Sequence, residues 1–212
     1  MGELSGLVRS ERLALIEFLE TLTPDEWAVP SLCSGWTVQD VAAHLAWAPA
    51  LRPLEAMLGL VRGGFRLNRV NADHARLWSS RGREAILEQL RVNAAKGLRP
   101  PGTPEGAALA DAVCHFVDIR RPLGKSGPVN EEAFPVVADF FAGLRWPLTI
   151  TIGGNARMVQ GLRLVADDVD WSHGTGPEVH GRAESLLMLL AGRPVGADEL
   201  TGPGADALYA RL

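Results

Sequence analysis

The sequence predicts a mainly α-helical bundle followed by a small α+β unit. Apolar residues recur at helical spacing through about the first 145 residues, a pattern that favours amphipathic helices around one core. After Pro147 the pattern changes, because Leu148 to Ile152 alternate β-branched residues in the manner of a strand. Hydrophobic residues form 47% of the 212, enough for a sizeable core. We therefore predict two domains, residues 1–146 and 147–212.

Helix boundaries in the first domain follow from residues that begin or end helices. A first apolar stripe stops at Thr23-Pro24-Asp25. Thr37, with Asp40 three residues later, resembles a capping box and predicts the start of the helix that carries His44. Further helices are predicted at residues 51–61 (ending at Gly63-Gly64), 83–95 (ending at Gly97), 105–119, and 131–144, the last kinked near Pro135.

The second domain reads as alternating short strands and helices. A second strand is predicted over residues 162–171, and the glycines at 174 and 176 with Pro177 predict a turn. Residues 183–190 form a short apolar segment typical of a helix, closed by Gly192-Arg193-Pro194. Residues 203–212 predict one or two helical turns at the end of the chain.

Composition excludes several classes of protein. A formal net charge of −4 argues against nucleic acid as the main partner. The two cysteines, Cys33 and Cys114, are too few for a disulfide framework and indicate reduced thiols. No signal peptide and no apolar run of membrane-spanning length is visible. We expect a soluble, cytoplasmic protein without a membrane partner.

Three side chains have the spacing of a metal site. Asp111 and His115 are four residues apart in one predicted helix and therefore share a face. His44, on another helix, can complete a site of two nitrogens and one carboxylate, which suits Zn²⁺ or a similar ion with one position open for water or substrate. Taken singly, His44 is better explained as a core histidine bonded to a backbone carbonyl, whereas Asp111 fits a ligand and an exposed acid or arginine partner equally well.

Asp118 lies three residues beyond His115 on the same broad face. The interpretation we favour for Asp118 is a salt bridge to Arg120 or Arg121, or a part in closing the helix. The alternative is a hydrogen bond to a ligand histidine. His74, His173 and His180 have no partner at metal-ligand spacing, and no serine or cysteine nucleophile motif is present.

Two segments carry a family resemblance. Residues 30–45, PSLCSGWTVQDVAAHL, and residues 115–124, HFVDIRRPLG, resemble the two signatures of the mycothiol-dependent maleylpyruvate isomerase family. That family is one branch of the DinB-like metal-binding four-helix bundles. The short runs DVDW (168–171), GPEV (176–179) and AGRP (191–194) resemble the C-terminal part of many members.

The resemblance implies the identity of the site. Its metal ligands carry over to His44, Asp111 and His115, with Asp111 standing where the characterised isomerase has glutamate. Aspartate is one methylene shorter, so the metal is held less tightly or the helices approach more closely. Arg193 is the best match for a C-terminal arginine that reaches the metal pocket and binds a substrate carboxylate. This expectation requires the C-terminal domain to pack over the metal-bearing end of the bundle, which itself offers few groups for a carboxylate. The competing interpretation is that Arg193 caps its own helix or pairs with Asp198.

The resemblance also implies an activity. We expect a metal-dependent, mycothiol-dependent isomerase or thiol S-transferase that acts on a small electrophilic or unsaturated acid, with a divalent metal such as zinc and mycothiol as cofactors. The alternative is a non-catalytic protein that has lost its metal and binds a small molecule or lipid, since the C-terminal domain also resembles sterol-carrier-like folds. A third possibility, a redox-sensing metal switch, needs a cysteine ligand, for which Cys33 is the loop candidate.

Overall fold

The computed structural model describes residues 2–52, 54, 55, 58, 67–145 and 154–212. Its contacts divide the chain into two compact units, residues 1–126 and 127–212. The first unit is helical, with α1 Glu3–Glu20, α2 Pro24–Trp27, α3 Val38–Trp47, α4 Leu67–Ser79, α5 Arg83–Lys96 and α6 Glu105–Arg120. A single 3₁₀ turn, Ala48–Ala50, extends α3.

The first unit is a bundle because its longer helices share one apolar core. Helix α1 packs on α5 and α6, and α3 packs on α4, α5 and α6. Leu15, Leu19, Val41, Ile86 and Ile119, drawn from four of these helices, are almost completely buried in that core. Burial on this scale is the main stabilising contribution to a helical bundle, and it holds α3 beside α6.

Local sequence signals set the helix ends. The Thr37 hydroxyl accepts from the Asp40 backbone N–H, and the Asp40 carboxylate accepts from the Thr37 N–H, so the predicted capping box is present. Gly97 ends α5 in the left-handed conformation at φ 60°, where a side chain would be strained. The helices predicted at 83–95 and 105–119 are confirmed to within one residue at their ends.

The second unit combines helices with a small sheet. Its elements are α7 Ala133–Gly143, β1 Arg163–Ala166, β2 Ser172–Gly174, β3 Glu178–Gly181, α8 Ala183–Leu190, β4 Leu200–Thr201 and α9 Ala205–Tyr209. The strand order is β2-β1-β3-β4, with β1 and β3 parallel and the outer pairs antiparallel. Every residue of α8 is buried, and α8 contacts both α7 and β1. The chain is therefore mainly α, a helical bundle followed by a small α+β unit.

Several details differ from the sequence prediction. The strand expected over 162–171 ends at Ala166, because the chain turns there and returns as β2 to form a hairpin. The sequence prediction does not include β2, β3 or β4, since each is short and none alternates clearly. Pro135 does not kink α7, because it lies in the first turn, where a backbone N–H has no helical partner.

The division between the units also lies earlier than predicted. It follows Ser126, whereas the sequence predicted a boundary after residue 146, because α7 packs on α8 of the second unit. The strand predicted at Leu148 to Ile152 and most of the helix predicted at 51–61 lie outside the described residues. None of the helices in the described ranges is long and apolar enough to cross a membrane.

Candidate metal centre

Three side chains of the first unit converge where α3 and α6 pack together. His44 on α3, with Asp111 and His115 on α6, bring one possible ligand atom each within 4.8 Å of one another. The convergence that the i, i+4 spacing predicts is therefore present. Cys114, adjacent to His115 in sequence, is buried and takes no part in this group.

The distances match those of a small divalent ion. The Oδ1 atom of Asp111 lies 3.6 Å from Nε2 of His44 and 3.5 Å from Nε2 of His115. A tetrahedral ion with bonds of about 2.1 Å separates its ligand atoms by about 3.4 Å, so both distances from Asp111 are already close to the required spacing. The shorter aspartate thus reaches both histidines without a longer side chain.

Exposure differs among the three candidate ligands. The His44 and His115 side chains are 9% and 15% exposed, whereas that of Asp111 is 28% exposed. The cluster is therefore open to solvent on the side of Asp111. A catalytic metal site needs such an opening, because a substrate or water has to take a coordination position that the protein leaves free.

Each histidine is oriented by a different part of the fold. The His115 Nδ1 atom lies 2.8 Å from Oδ2 of Asp118, a carboxylate with no exposed surface. A carboxylate on Nδ1 directs Nε2 of the same ring toward a metal. The His44 ring packs against Trp36, with ring centroids 5.4 Å apart, and its Nδ1 atom is buried without a hydrogen-bond partner in the described part of the chain.

A tight loop places Cys33 next to Asp118. The loop closes through a backbone hydrogen bond from Ser31 N–H to the Trp36 carbonyl, and it turns at Gly35, where φ is +76°. Its Leu32 N–H donates to the carbonyl of Asp118. The Cys33 thiol consequently lies 3.1 Å from Oδ2 of Asp118 and 3.6 Å from Nδ1 of His115.

The electrostatics of the cluster favour positive charge. Burial alone would lower the pKa of His115, but the Cys33 sulfur and the carboxylates of Asp118 and Asp111 outweigh burial and raise this pKa well above its ordinary value. Burial raises the pKa of Asp111, yet its contact with His44 and the charges of His115, His44 and Arg12 make the net shift downward. A divalent cation is favoured by the same surroundings.

Local sequence patterns do not reveal the contacts of three residues in this region. The alternative interpretation of Asp118, a hydrogen bond to a candidate ligand histidine, is present, because its carboxylate lies 2.8 Å from Nδ1 of His115 and accepts from the Cys33 thiol; its spacing of three from His115 is the available signal. A salt bridge to Arg120 or Arg121 stays a prediction. Cys33, the candidate ligand of a redox switch, lies with His115 and Asp118 in a second group of possible ligands whose atoms are within 4.8 Å of one another. Arg12, only 7% exposed on α1, carried no sequence signal, since helical arginines are usually solvated.

Arg193 lies in the second unit, directly after α8. Its side chain is partly buried, and Nη1 donates to the carbonyl of Ala191, the C-cap residue of α8, at 3.3 Å. This contact agrees with the competing interpretation, in which Arg193 caps its own helix. Its contact with a substrate carboxylate stays a prediction.

Comparison with known proteins identifies the family. The model of the mycothiol maleylpyruvate isomerase N-terminal domain matches residues 8–120, just over half of the chain. The crystal structure of a mycothiol-dependent maleylpyruvate isomerase has the same fold, with a TM-score of 0.50 at 16% identity over 96% of this chain and 92% of that chain. A mutant of that enzyme with histidine changed to alanine gives a TM-score of 0.49 at the same identity and coverage. No curated protein sequence matches significantly. The match over residues 8–120 shows that this chain belongs to the mycothiol-dependent maleylpyruvate isomerase family.

Proposed function

We propose that this chain is a metal-dependent, mycothiol-dependent enzyme, either an isomerase or a thiol S-transferase, acting on a small electrophilic or unsaturated acid. The observation that carries the proposal is the convergence of His44, Asp111 and His115 within 4.8 Å on two packed helices. Family membership supplies the thiol, because the solved relative of this fold is described as mycothiol-dependent.

The residues of the cluster have separate tasks in this proposal. His44, Asp111 and His115 hold the ion, and the partial exposure of Asp111 leaves room for the thiol. A bound divalent ion lowers the pKa of a coordinated thiol and so supplies a thiolate nucleophile near neutral pH. Asp118 keeps His115 in the required orientation. Arg193 is proposed to bind the carboxylate of the acid.

The two activities share their first step. Addition of the thiol to a conjugated double bond converts that bond into a single bond, about which the molecule can rotate. Departure of the thiol then restores the double bond and gives isomerisation, whereas retention of the thiol gives transfer. The described geometry is compatible with both outcomes, so identification of the product distinguishes the isomerase from the transferase.

The first test concerns metal. Protein purified without a metal-chelating tag should contain about one divalent ion per chain by elemental analysis. His44→Ala and His115→Ala should each lose this ion while circular dichroism and thermal melting stay close to wild type, because the bundle core extends well beyond the site. His173→Ala, an exposed histidine of the second unit, is the matched control and should retain the ion.

The second test concerns the thiol. Metal-loaded protein should isomerise or conjugate small unsaturated acids only when mycothiol is supplied, as followed by chromatography of the products. Wild-type protein that takes up no ion on dialysis, and that gives no thiol-dependent product, would instead support a non-catalytic binding protein. Global unfolding on chelation would show that the ion is structural, contrary to the proposal.

A further inference from the structure

A second group of charged side chains surrounds a small cavity in the first unit. The cavity, of about 100 Å³, lies between the first half of α1, the segment after α5 and the start of α6. Three arginines and one glutamate are among the side chains that line it. These four are Arg9, Arg12, Arg99 and Glu105, and Leu98 and Ala108 also form part of the lining.

Arg12 is the most unusual member of this group. It is only 7% exposed, and its guanidinium donates to the carbonyl of Leu98, which also lines the cavity. Burial lowers the pKa of Arg12, although the charge of Asp111 partly opposes this effect. Within the described residues, no carboxylate lies within ion-pairing distance of Arg12. A largely buried guanidinium without a direct carboxylate partner favours the entry of an anion.

The remaining charges of the cavity are also mainly positive. Arg9 and Arg99 are exposed at its edge, and only Glu105 opposes them, with an ion pair to Arg99 of 3.4 Å. Guanidinium groups present paired N–H donors that match the two oxygens of a carboxylate. The volume is well below the several hundred Å³ of a complete ligand pocket, but it can accept one carboxylate with its neighbouring carbon.

The cavity adjoins the candidate metal centre. Ala108 forms part of its wall and precedes Asp111 by three residues on α6, which corresponds to about 4.5 Å along the helix axis. Arg12 is also near enough to Asp111 for their charges to interact. The cavity wall and Asp111 therefore lie on the same face of α6, one turn apart.

We propose that this cavity binds a carboxylate group of a small organic acid, with Arg12 and Arg9 as the principal donors and Arg99 as a weaker one. The bundle thus contains its own carboxylate site, contrary to the expectation that it offers few groups for that purpose. The identification of this acid as the enzyme's substrate rests on the proposed function, whereas the binding itself does not.

Calorimetric titration of the full-length protein with succinate tests the proposal, before and after removal of metal with a chelator. We expect binding under both conditions. The double variant Arg9→Gln/Arg99→Gln should weaken succinate binding at least about tenfold, since each substitution removes one charged donor. Glu105→Gln should strengthen binding, because it removes the opposing charge. Arg76→Gln, an exposed arginine on α4 away from the cavity lining, should leave the affinity within about twofold.

The double variant should fold as the wild type does. Arg9 and Arg99 are exposed, whereas Arg12→Gln would also remove the hydrogen bond to Leu98. Succinate binding that disappears on chelation, or that is equal in wild type and the double variant, would overturn the proposal. Tighter binding of inorganic phosphate than of succinate would overturn the assignment to a carboxylate. If the wild-type protein proves unable to take up any metal but still binds succinate, the proposed function is refuted and the carboxylate site is not.

Discussion

Asp118 contacts a candidate metal ligand, His115, through the ring nitrogen opposite the one that faces Asp111. Its carboxylate has no exposed surface and faces both the His115 ring and the Cys33 thiol. A buried carboxylate is costly unless it is hydrogen-bonded, so these contacts compensate for its desolvation. The same contacts hold His115 with Nε2 toward Asp111.

Asp118→Asn should lower metal affinity about 10-fold to 100-fold while the protein stays folded. Asparagine retains the shape and can still accept a hydrogen bond, but it removes the negative charge beside His115. Competition with a metal-binding indicator dye measures the change. Asp170→Asn, an exposed aspartate of the second unit, is the control and should bind metal as wild type does. Equal affinities in the two variants would exclude an orienting role for Asp118.

At the scale of single elements, α3 connects a capping box to a candidate ligand. Thr37 and Asp40 form reciprocal hydrogen bonds at its start, and His44 lies two turns further on. The cap defines where the helix begins, and the buried residues Val41 and Leu45 then determine which face turns toward the core.

Thr37→Ala should reduce the free energy of unfolding by about 1 kcal/mol, because it leaves the Asp40 N–H without its acceptor. Metal content should be unchanged, since packing and not the cap holds the second half of α3. Urea denaturation gives the first quantity and elemental analysis the second. Thr175→Ala, an exposed threonine outside any helix, should change stability by less than about 0.5 kcal/mol. Loss of metal in Thr37→Ala would show that the cap also positions His44.

The short helix α2 is tied to the segment after α6 by an ion pair. The Glu26 carboxylate lies 2.6 Å from Nζ of Lys125 and accepts from the Thr23 N–H. The hydrogen bond with Lys125, followed by that with Thr23, lowers the pKa of Glu26. A lowered folded-state pKa means that the contribution to stability is present above the unfolded value and is lost as pH falls through the folded value.

Lys125→Gln should therefore destabilise the protein near neutral pH, and the difference from wild type should shrink as pH falls through the lowered pKa of Glu26. Urea denaturation of both proteins at several pH values measures this difference. Lys96→Gln, which changes the other lysine of the chain, provides the control and should not show this pH dependence. A constant difference between wild type and Lys125→Gln would mean that the ion pair does not stabilise the fold.

For the whole molecule, the question is whether the second unit takes part in catalysis. The candidate ligands lie in residues 1–126, whereas Arg193 lies in residues 127–212 and donates to the end of its own helix. If Arg193 binds the substrate, both units are required for turnover, although only the first is required for metal.

Arg193→Lys should lower turnover at least about tenfold with metal content unchanged, because lysine keeps the charge but loses the planar pair of donors. Steady-state kinetics with mycothiol and an unsaturated acid, together with elemental analysis, measure both quantities. Arg182→Lys, an exposed arginine of the same unit, should retain wild-type turnover. Wild-type turnover in Arg193→Lys would restrict Arg193 to capping α8.

Local sequence patterns predicted the helical class, the ends of α5 and α6 and the three candidate ligands, but not α2 or α4. These features depend on local periodicity, capping residues and the i, i+4 rule, all of which act over a few neighbouring residues. Only the tertiary structure decided the roles of Asp118, Cys33 and Arg12, and the packing of α7 with the sheet. Those features arise from contacts between residues as far as 86 positions apart, which no local pattern encodes.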